Sequence, residues 1–307
     1  MTELSIVIPV YNEEDNLREL NRRLIASAES VGRPFEIIYV DDGSSDSSYD
    51  ILEELHRARP DVVRVVSFYR NYGQHLAILA GFERVKGRIV VTLDADLQNP
   101  PEEIPRLVEK MDEGYDVVAT WREHRKDSIF RKIPSNLVNL VASRVIGVEQ
   151  HDYGCMLRAY SREVVDQINQ CREQSTFIPA LANTFARKAT EIKVSHRDRS
   201  GGRSKYNLRR LIRLHFDLMT GFSLTPLKIA SLLGILIAFL GLAFGVFLFI
   251  RRLVVGPEVE GVFTLFAILF VFVGLQILVT GLLGEYVGRI YREVRDRPRY
   301  YIRRTLE

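Results

Sequence analysis

Residues Leu4–Val10 have the sequence LSIVIPV, a continuous apolar run that is followed by the polar residues Tyr11–Glu14 (YNEE). A short run of this kind is typical of a strand that is buried on both faces of a sheet. The polar residues after it, with Asn12 as the predicted N-cap, indicate that a helix follows the strand. A strand that leads directly into a helix is the first half of a parallel α/β unit.

The same alternation continues through the next hundred residues. Further apolar runs predict strands at Glu36–Val40, Val62–Phe68, Arg88–Leu93 and Asp116–Thr120. Amphipathic patterns predict helices at Asp15–Ser30, Ser47–Ala58 and Gln74–Val85. Strands that alternate with helices indicate an α/β fold with a doubly wound, mostly parallel sheet.

Polar clusters follow three of these predicted strands. They are Tyr11–Glu13, Asp41–Ser44 and Asp94–Gln98. Open α/β sheets bind their ligands beyond the carboxyl ends of the strands. We therefore expect the three clusters to contribute to one pocket.

The stretch Thr92–Pro101 (TLDADLQNPP) contains paired aspartates, Asp94 and Asp96. Two carboxylates one residue apart at a strand end suit a hard divalent cation, Mg²⁺ or Mn²⁺, which also binds a diphosphate. The alternative is that they cap the helix that Asn99 and Pro100 introduce. Gln98 argues against a phosphatase with a nucleophilic aspartate, because such enzymes carry Thr or Val at this position.

Asp42 lies at the end of the second predicted strand, before Gly43. A carboxylate in this position accepts hydrogen bonds from a ribose or a base, or it is a turn residue. The sequence contains neither a G-x-G-x-x-G motif nor a Walker A motif. Metal rather than a glycine-rich cradle is therefore expected to neutralise a bound diphosphate.

Two long uncharged runs lie near the C-terminus, Ile229–Ile250 and Val262–Gly284. Each exceeds the roughly 20 residues that a helix needs to cross a bilayer. A pair of buried core helices is the alternative, but core helices rarely run this long without a charge. We predict two transmembrane helices within residues 226–285, after an enzymatic domain of residues 1–220 and before a basic tail of residues 286–307.

The charges around these runs predict their orientation. Cations precede the first run at Arg209, Arg210, Arg213 and Lys228, and follow the second at Arg289, Arg292, Arg295, Arg297, Arg299, Arg303 and Arg304. The connecting loop has only Arg251 and Arg252. The positive-inside rule therefore places both termini in the cytoplasm. No basic n-region precedes the first strand, so we expect no signal peptide.

The remaining composition excludes some partners and cofactors. The net charge of +3 is too small to indicate a nucleic-acid partner. Cys155 and Cys171 lack metal-ligand spacing and are expected to be reduced in the cytoplasm.

Three basic segments are candidates for contact with a membrane or a phosphate. The patterns of residues 128–146 and 208–218 predict amphipathic helices that lie in the membrane interface. For residues 128–146, a helix that packs on the domain core is the alternative. Arg199–Lys205 (RSGGRSK) has two glycines flanked by cations, a composition that suits a loop around a phosphate. A solvated basic linker is the alternative for this loop.

The polar motifs together resemble those of a known family. They are Pro9–Glu14 (PVYNEE), Val40–Ser44 (VDDGS), Arg70–Gln74 (RNYGQ) and Asp94–Gln98 (DADLQ). They are similar to the inverting polyprenyl-phosphate glycosyltransferases, relatives of dolichyl-phosphate mannose synthase, which have a GT-A fold. Within that family the chain is most similar to the bacterial branch that transfers 4-deoxy-4-formamido-L-arabinose to undecaprenyl phosphate for lipid A modification. The stretches that carry this closer similarity include Asn71–His75, Asp152–Tyr160 and Ser175–Arg187.

The resemblance implies a role for each matching residue. It implies that uridine is held by Pro9, Tyr11, Glu13 and Asp42, and the metal and diphosphate by Asp94, Asp96 and Gln98. The catalytic residues are expected to include Asp152, Asp96 and Arg122. The resemblance implies that Asp152 is a base, and an acceptor that is already a dianion also allows it a positioning role. Arg122 is expected to reduce the repulsion between the two phosphates. The resemblance implies that the lipid phosphate is bound by Arg199, Arg203, Ser204 and Lys205. It also implies a UDP-sugar donor and a homo-oligomer, a tetramer in the family.

Two other functions remain open at the level of sequence. Glucose transfer to undecaprenyl phosphate, for O-antigen or wall modification, is the nearest alternative. A non-catalytic accessory subunit of a lipid-linked sugar flippase is the alternative of another class. The intact Asp94, Asp96 and Gln98 argue against such a subunit, which has no need of a metal site.

Overall fold

The computed structural model describes residues 2–122, 155–171, 177–194, 225–256, 262–295 and 297–307 of the 307-residue chain. The chain divides into two units. The first comprises Met1–Tyr206 together with Arg297–Glu307, and the second comprises Asn207–Asp296. The predicted interfacial helices at 128–146 and 208–218 lie outside the described residues, as does the predicted domain end near residue 220.

The described residues of the first unit form an eight-stranded sheet. Its strands are β1 (Leu4–Val10), β2 (Phe35–Asp41), β3 (Val63–Phe68), β4 (Ile89–Thr92), β5 (Val117–Arg122), β6 (Arg158–Ser161), β7 (Ala189–Val194) and β8 (Ile302–Leu306). Their order across the sheet is β7-β5-β6-β4-β1-β2-β3-β8. Only β6 and β8 run antiparallel to their neighbours within these pairings. The predicted mostly parallel sheet is confirmed.

Six α-helices of the first unit are described, besides a 3₁₀ turn at Pro101–Glu103. They are α1 (Leu17–Ser30), α2 (Ser48–Ala58), α3 (Gln74–Phe82), α4 (Ile104–Asp112), α5 (Arg162–Gln170) and α6 (Ile178–Phe185). The prediction of Asn12 as a helix N-cap was wrong, since α1 begins after Asn16.

The helices cover both faces of the sheet, because successive side chains of β1 point in opposite directions. Ile6 and Ile8 pack in the same buried cluster as Leu20 and Leu24 of α1. Val7 points to the opposite face, where a Cβ on Gly81 of α3 would lie 2.3 Å from its Cγ1. Gly81 therefore allows α3 to pack directly against β1, as a doubly wound sheet requires.

The last strand was not part of the sequence prediction. Residues 286–307 were predicted as a basic tail, yet Ile302–Leu306 forms β8 on the outer side of β3. Leu306 packs against the core cluster, while Arg303 and Arg304 are exposed. The C-terminus therefore belongs to the first unit, and it covers an edge of β3 that would otherwise present unpaired backbone groups.

The second unit contains two long apolar helices, α7 (Thr225–Val255) and α8 (Val262–Val294). Within them, Leu227–Val255 and Ile268–Gly288 have the length and the apolar composition of membrane spans, with mean hydropathies of 2.8 and 2.1. None of the residues in their most apolar windows is buried. Core helices of a soluble protein would be buried, so this exposure favours membrane association.

Candidate active site

The loops after β1 and β2 are joined by hydrogen bonds through Asn12. Its backbone N–H donates to Ser44 Oγ (3.0 Å), and the Ser45 N–H donates to its Oδ1 (2.8 Å). Asn12 has a φ of 54°, a left-handed conformation that asparagine tolerates better than most residues. Two of the three predicted polar clusters therefore meet at the carboxyl edge of the sheet.

The same two loops make further contacts beside Asn12. The Glu13 N–H donates to Ser48 Oγ (2.9 Å), and the Ser47 N–H donates to Glu14 Oε2 (2.9 Å). The Glu13 carboxylate accepts from Asn16 Nδ2 (2.6 Å) at the start of α1. These bonds fix the backbone next to Tyr11, a residue that remains about half exposed (47%).

Asp42 is buried, and its carboxylate holds the loop that precedes α3. The N–H groups of Tyr72 (2.6 Å) and Gly73 (2.8 Å) each donate to one of its oxygens. Burial raises the pKa of this carboxyl above its ordinary value, and the two hydrogen bonds partly offset the increase. Each oxygen retains a second lone pair with which it can accept a bond from a ligand.

Gly43, in the loop after β2, permits the loop that precedes α3 to approach closely. A Cβ at Gly43 would lie 2.4 Å from the carbonyl carbon of Arg70 and 2.8 Å from the nitrogen of Asn71. Its φ of +67° is also one that glycine adopts without steric cost. The segment Tyr69–Gly73, which we call the β3–α3 loop, therefore crosses directly over Gly43.

The paired aspartates lie after β4, half-buried, and contact the start of α3. Gln74 Nε2 donates a hydrogen bond to Asp94 Oδ1. The Gln98 N–H donates to Asp96 Oδ1 (3.1 Å), which closes a tight turn in which Leu97 has a φ of 58°. In the described residues, Asn12 and Leu97 are the non-glycine residues with positive φ. Both lie in the polar loops, and such strain is concentrated at functional sites.

His75 lies in the first turn of α3, beside Gln74. Its ring makes an edge contact with Phe177, which precedes α6, with 5.2 Å between the centroids. Burial, with a contribution from Arg158, lowers the pKa of His75 to about 4. The imidazole is therefore neutral at physiological pH, and its enclosed Nδ1 has no hydrogen-bond partner among the described residues.

The donor set near Asp94 fits a metal that shares its coordination with a substrate. No group of three or more His, Cys, Asp or Glu side chains in the described part of the chain is arranged to hold a metal ion by itself. Mg²⁺ commonly takes only one or two carboxylates and completes its shell with substrate phosphates and water. Asp94 and Asp96 supply the two carboxylates that this mode of binding uses.

The other predicted site residues lie either in strands of the sheet or outside the described ranges. Pro9 lies in β1 opposite Val40, and Arg122 is the last residue of β5, paired with Val194 of β7. The remaining predicted residues lie outside the described ranges; they are Asp152, Arg199, Arg203, Ser204 and Lys205.

Some residues that shape the site were not singled out from the sequence. Gln74 belongs to the motif Arg70–Gln74, and its side chain donates a hydrogen bond to Asp94. Ser45 and Ser48 anchor the loop after β1. In the sequence, Ser45 and Ser48 are marked only by their position after a buried strand, in a run of small polar residues. That position does not identify their partners, which lie more than 30 residues away in sequence.

The family model described as Glycosyl transferase family 2 matches residues 5–168, which are 164 of the 307 residues. An undecaprenyl-phosphate 4-deoxy-4-formamido-L-arabinose transferase of Klebsiella pneumoniae (strain 342) is 56% identical over 306 residues, covering 99% of this chain and 94% of that protein. A protein of the same name from Edwardsiella ictaluri (strain 93-146) is 55% identical over 305 residues, with the same coverage.

Solved structures share the fold. Glucosyl-3-phosphoglycerate synthase from Mycobacterium tuberculosis, in complex with phosphoglyceric acid, superposes with a TM-score of 0.51 at 17% identity. The match covers 73% of this chain and 79% of that one. The similarity extends to the GT-A architecture and confirms the predicted fold class. Because the family model spans more than half of the chain and the bacterial relatives match it almost end to end, the chain belongs to glycosyl transferase family 2 and is a glycosyltransferase.

Proposed function

We propose that the protein transfers 4-deoxy-4-formamido-L-arabinose from UDP to undecaprenyl phosphate, at the cytoplasmic face of the bacterial inner (plasma) membrane. The observation that carries this proposal is the identity of 53–56% with transferases of that name across 99% of the chain, both apolar helices included. The product is an intermediate for lipid A modification.

The donor site is assigned to the polar loops after β1, β2 and β4. Pro9, Tyr11, Glu13 and Asp42 hold the uridine in this assignment. The half exposure of Tyr11 supports it, as do the second lone pairs of the Asp42 carboxylate. The Asp42 contacts with the β3–α3 loop give this residue a structural role as well.

Mg²⁺ or Mn²⁺ is the proposed cofactor, held by Asp94, Asp96 and Gln98 with the diphosphate. Bound there, it stabilises the negative charge that develops on the departing UDP. The two carboxylates are the support for this assignment. Gln74 Nε2 donates a hydrogen bond to Asp94 Oδ1 and thereby orients this carboxylate.

The acceptor is a phosphate monoester with a second pKa of about 6, so it is mostly a dianion at cytoplasmic pH. It attacks the anomeric carbon from the side opposite UDP, which inverts the configuration. The barriers are the charge on the departing UDP and the repulsion between the two phosphates. We assign the cations Arg122, Arg199 and Lys205 to reduce this repulsion, and Arg199, Arg203, Ser204 and Lys205 to bind the lipid phosphate. Asp152 is assigned as a positioning residue or a base. The dianion carries no proton on its phosphate, which favours the positioning role.

The proposed topology has two transmembrane helices, with the enzymatic unit and both termini in the cytoplasm. The basic residues that flank the helices support it. A second support is connectivity: β3 precedes α7, β8 follows α8, and the two strands pair. A chain that crosses a bilayer between two paired strands must cross it an even number of times. A homo-oligomer, a tetramer by family resemblance, is part of the same proposal.

A UDP-release assay tests the proposal against an accessory subunit of a flippase. The purified full-length protein is given UDP-4-deoxy-4-formamido-L-arabinose and Mg²⁺, with or without undecaprenyl phosphate. We expect stoichiometric UDP release that requires the lipid phosphate. An absence of release with both substrates present would contradict the enzymatic function.

A further inference from the structure

The segment that follows the second apolar helix packs beside the candidate donor site. β8 pairs with β3 from Val65↔Leu306 to Phe68↔Ile302, with an irregularity between Ser67 and Phe68. One residue beyond the end of β3, the Tyr69 N–H donates to the Tyr301 carbonyl oxygen (3.1 Å). The contact between the two segments therefore continues into the β3–α3 loop.

An aromatic series connects this C-terminal segment to the loop. Tyr300 stacks on Phe68, with ring centroids 4.8 Å apart and planes inclined by 19°. Phe68 is buried and makes an edge contact with Tyr72 in the loop, with centroids 5.6 Å apart and planes at 89°. Offset and edge-to-face geometries of this kind are the favourable ones for aromatic pairs.

Tyr300 is also fixed at its hydroxyl. That group donates to Glu83 Oε2 (2.5 Å), the residue directly after α3. Tyr300 thus contacts the strand before the β3–α3 loop through its ring and the end of α3 through its hydroxyl.

The other side of the loop faces the candidate donor site. The N–H groups of Tyr72 and Gly73 donate to Asp42, and Gln74 donates to Asp94. The loop lacks regular secondary structure, so its shape depends on these contacts and on the packing of Phe68 and Tyr72. A shift of the loop would displace the group that orients Asp94.

We propose that Tyr300 is a positioning residue for the donor site, which acts through Phe68 and Tyr72 to hold the β3–α3 loop in the conformation that binds the UDP-sugar. This inference rests on the proposed function and deepens it. It makes the chain beyond the second apolar helix part of the donor-binding structure. Only residues 295–299 separate Tyr300 from the end of α8.

The test compares variants of the purified full-length protein. Tyr300→Ala removes the ring, whereas Tyr300→Phe keeps the ring and removes the bond to Glu83. Tyr301→Ala is the matched control, because Tyr301 is adjacent and exposed and contributes its backbone carbonyl to the loop. The readouts are the Kd for UDP with Mg²⁺, the KM values for donor and acceptor, and the thermal unfolding midpoint.

We expect Tyr300→Ala to raise the Kd for UDP and the donor KM by about 3- to 10-fold, the range that loss of one aromatic pair implies. The acceptor KM should stay within a factor of two, and Tyr301→Ala should resemble the wild type. Tyr300→Phe, which keeps the ring, should raise the Kd for UDP less than Tyr300→Ala does. Tyr300→Leu, which keeps apolar volume, replaces Tyr300→Ala if that variant does not fold, with the same expected increase.

Two results would overturn the inference. One is an unchanged UDP affinity in Tyr300→Ala or Tyr300→Leu. The other is a parallel rise of the donor and acceptor KM values that follows a lower unfolding midpoint, as a purely structural role requires. Failure of the proposed function is distinguishable, because the wild type itself would then transfer no sugar.

Discussion

At the scale of single residues, the polar loops depend on backbone conformations that few amino acids adopt. Gly43 combines a positive φ with a backbone neighbour that leaves no room for a side chain. Asn12 and Leu97 adopt positive φ in the loops after β1 and β4. A conformation of this kind costs a non-glycine residue about 1–3 kcal/mol, and it persists only where the surrounding contacts enforce it.

Gly43→Ala should weaken donor binding. The added Cβ meets the Arg70 and Asn71 backbone, so the β3–α3 loop must move. We expect the Kd for UDP to rise about 10-fold or more, with a loss of about 1–3 kcal/mol in the free energy of unfolding. Gly32→Ala is the control, because Gly32 has a φ of +70° and nothing within 4 Å of the added Cβ. Equal UDP affinities in the two variants would contradict the role of Gly43.

Asp96→Asn should remove one anionic metal ligand. We expect turnover to fall by roughly 10² or more, as for the loss of a major electrostatic stabiliser. EDTA should abolish wild-type activity, and added Mg²⁺ or Mn²⁺ should restore it. Asp61→Asn, at an exposed acid between α2 and β3, should keep wild-type turnover. Full turnover of the wild type in EDTA would rule out the metal site.

At the scale of secondary-structure elements, the strands that the sequence predicts are those buried on both faces. The apolar run Leu4–Val10 coincides with β1. The predicted bounds of the next three strands lie within one residue of the observed ones. β8 could not be predicted in the same way, because its sequence IRRTL has only two apolar residues. Its pairing depends on β3, which lies more than 200 residues earlier.

The burial of His75 in the first turn of α3 gives the stability of the first unit a pH dependence. The folded pKa of His75, about 4, lies below the value of 6.5 expected for an unfolded chain. The unfolded state therefore binds more protons between pH 6.5 and 4, and stability falls as the pH decreases through this range. This contribution is fully present above about pH 6.5.

His75→Gln should reduce that pH dependence, because glutamine does not titrate. The measurement is the thermal unfolding midpoint of wild type and variant at pH values from 7 to 4.5. We expect the midpoint of the wild type to decrease more than that of the variant over this range. Parallel decreases in the two proteins would show that His75 is not the titrating group.

At the scale of the whole molecule, the chain combines a GT-A unit with two apolar helices. The sequence predicts both parts, because each has its own pattern of apolar residues. The first has short apolar runs between turns, and the second has two uninterrupted runs longer than 20 residues. The sequence also predicts that the loops after β1 and β2 converge, which the contacts of Asn12 confirm. It does not predict the hydrogen bond from Gln74 to Asp94, since that contact depends on the path of the β3–α3 loop.

Single cysteines placed at Glu258 and Glu307 should differ in accessibility in intact cells. The positive-inside rule puts the first outside the membrane and the second in the cytoplasm. We expect an impermeant thiol reagent to label Glu258→Cys in intact cells and Glu307→Cys only after lysis. The unsubstituted protein gives the background from Cys155 and Cys171. Labelling of both sites from outside, or of neither, would contradict the two-span topology.

The mass of the lipid product distinguishes the proposed donor sugar from glucose. The purified full-length protein is incubated with undecaprenyl phosphate, Mg²⁺ and an equimolar mixture of UDP-4-deoxy-4-formamido-L-arabinose and UDP-glucose, and the lipid is analysed by mass spectrometry. We expect undecaprenyl phosphate to gain the mass of one 4-deoxy-4-formamido-arabinosyl group. Glucosyl undecaprenyl phosphate as the main product would contradict the proposed donor, and no glycosylated lipid at all would contradict the proposed reaction.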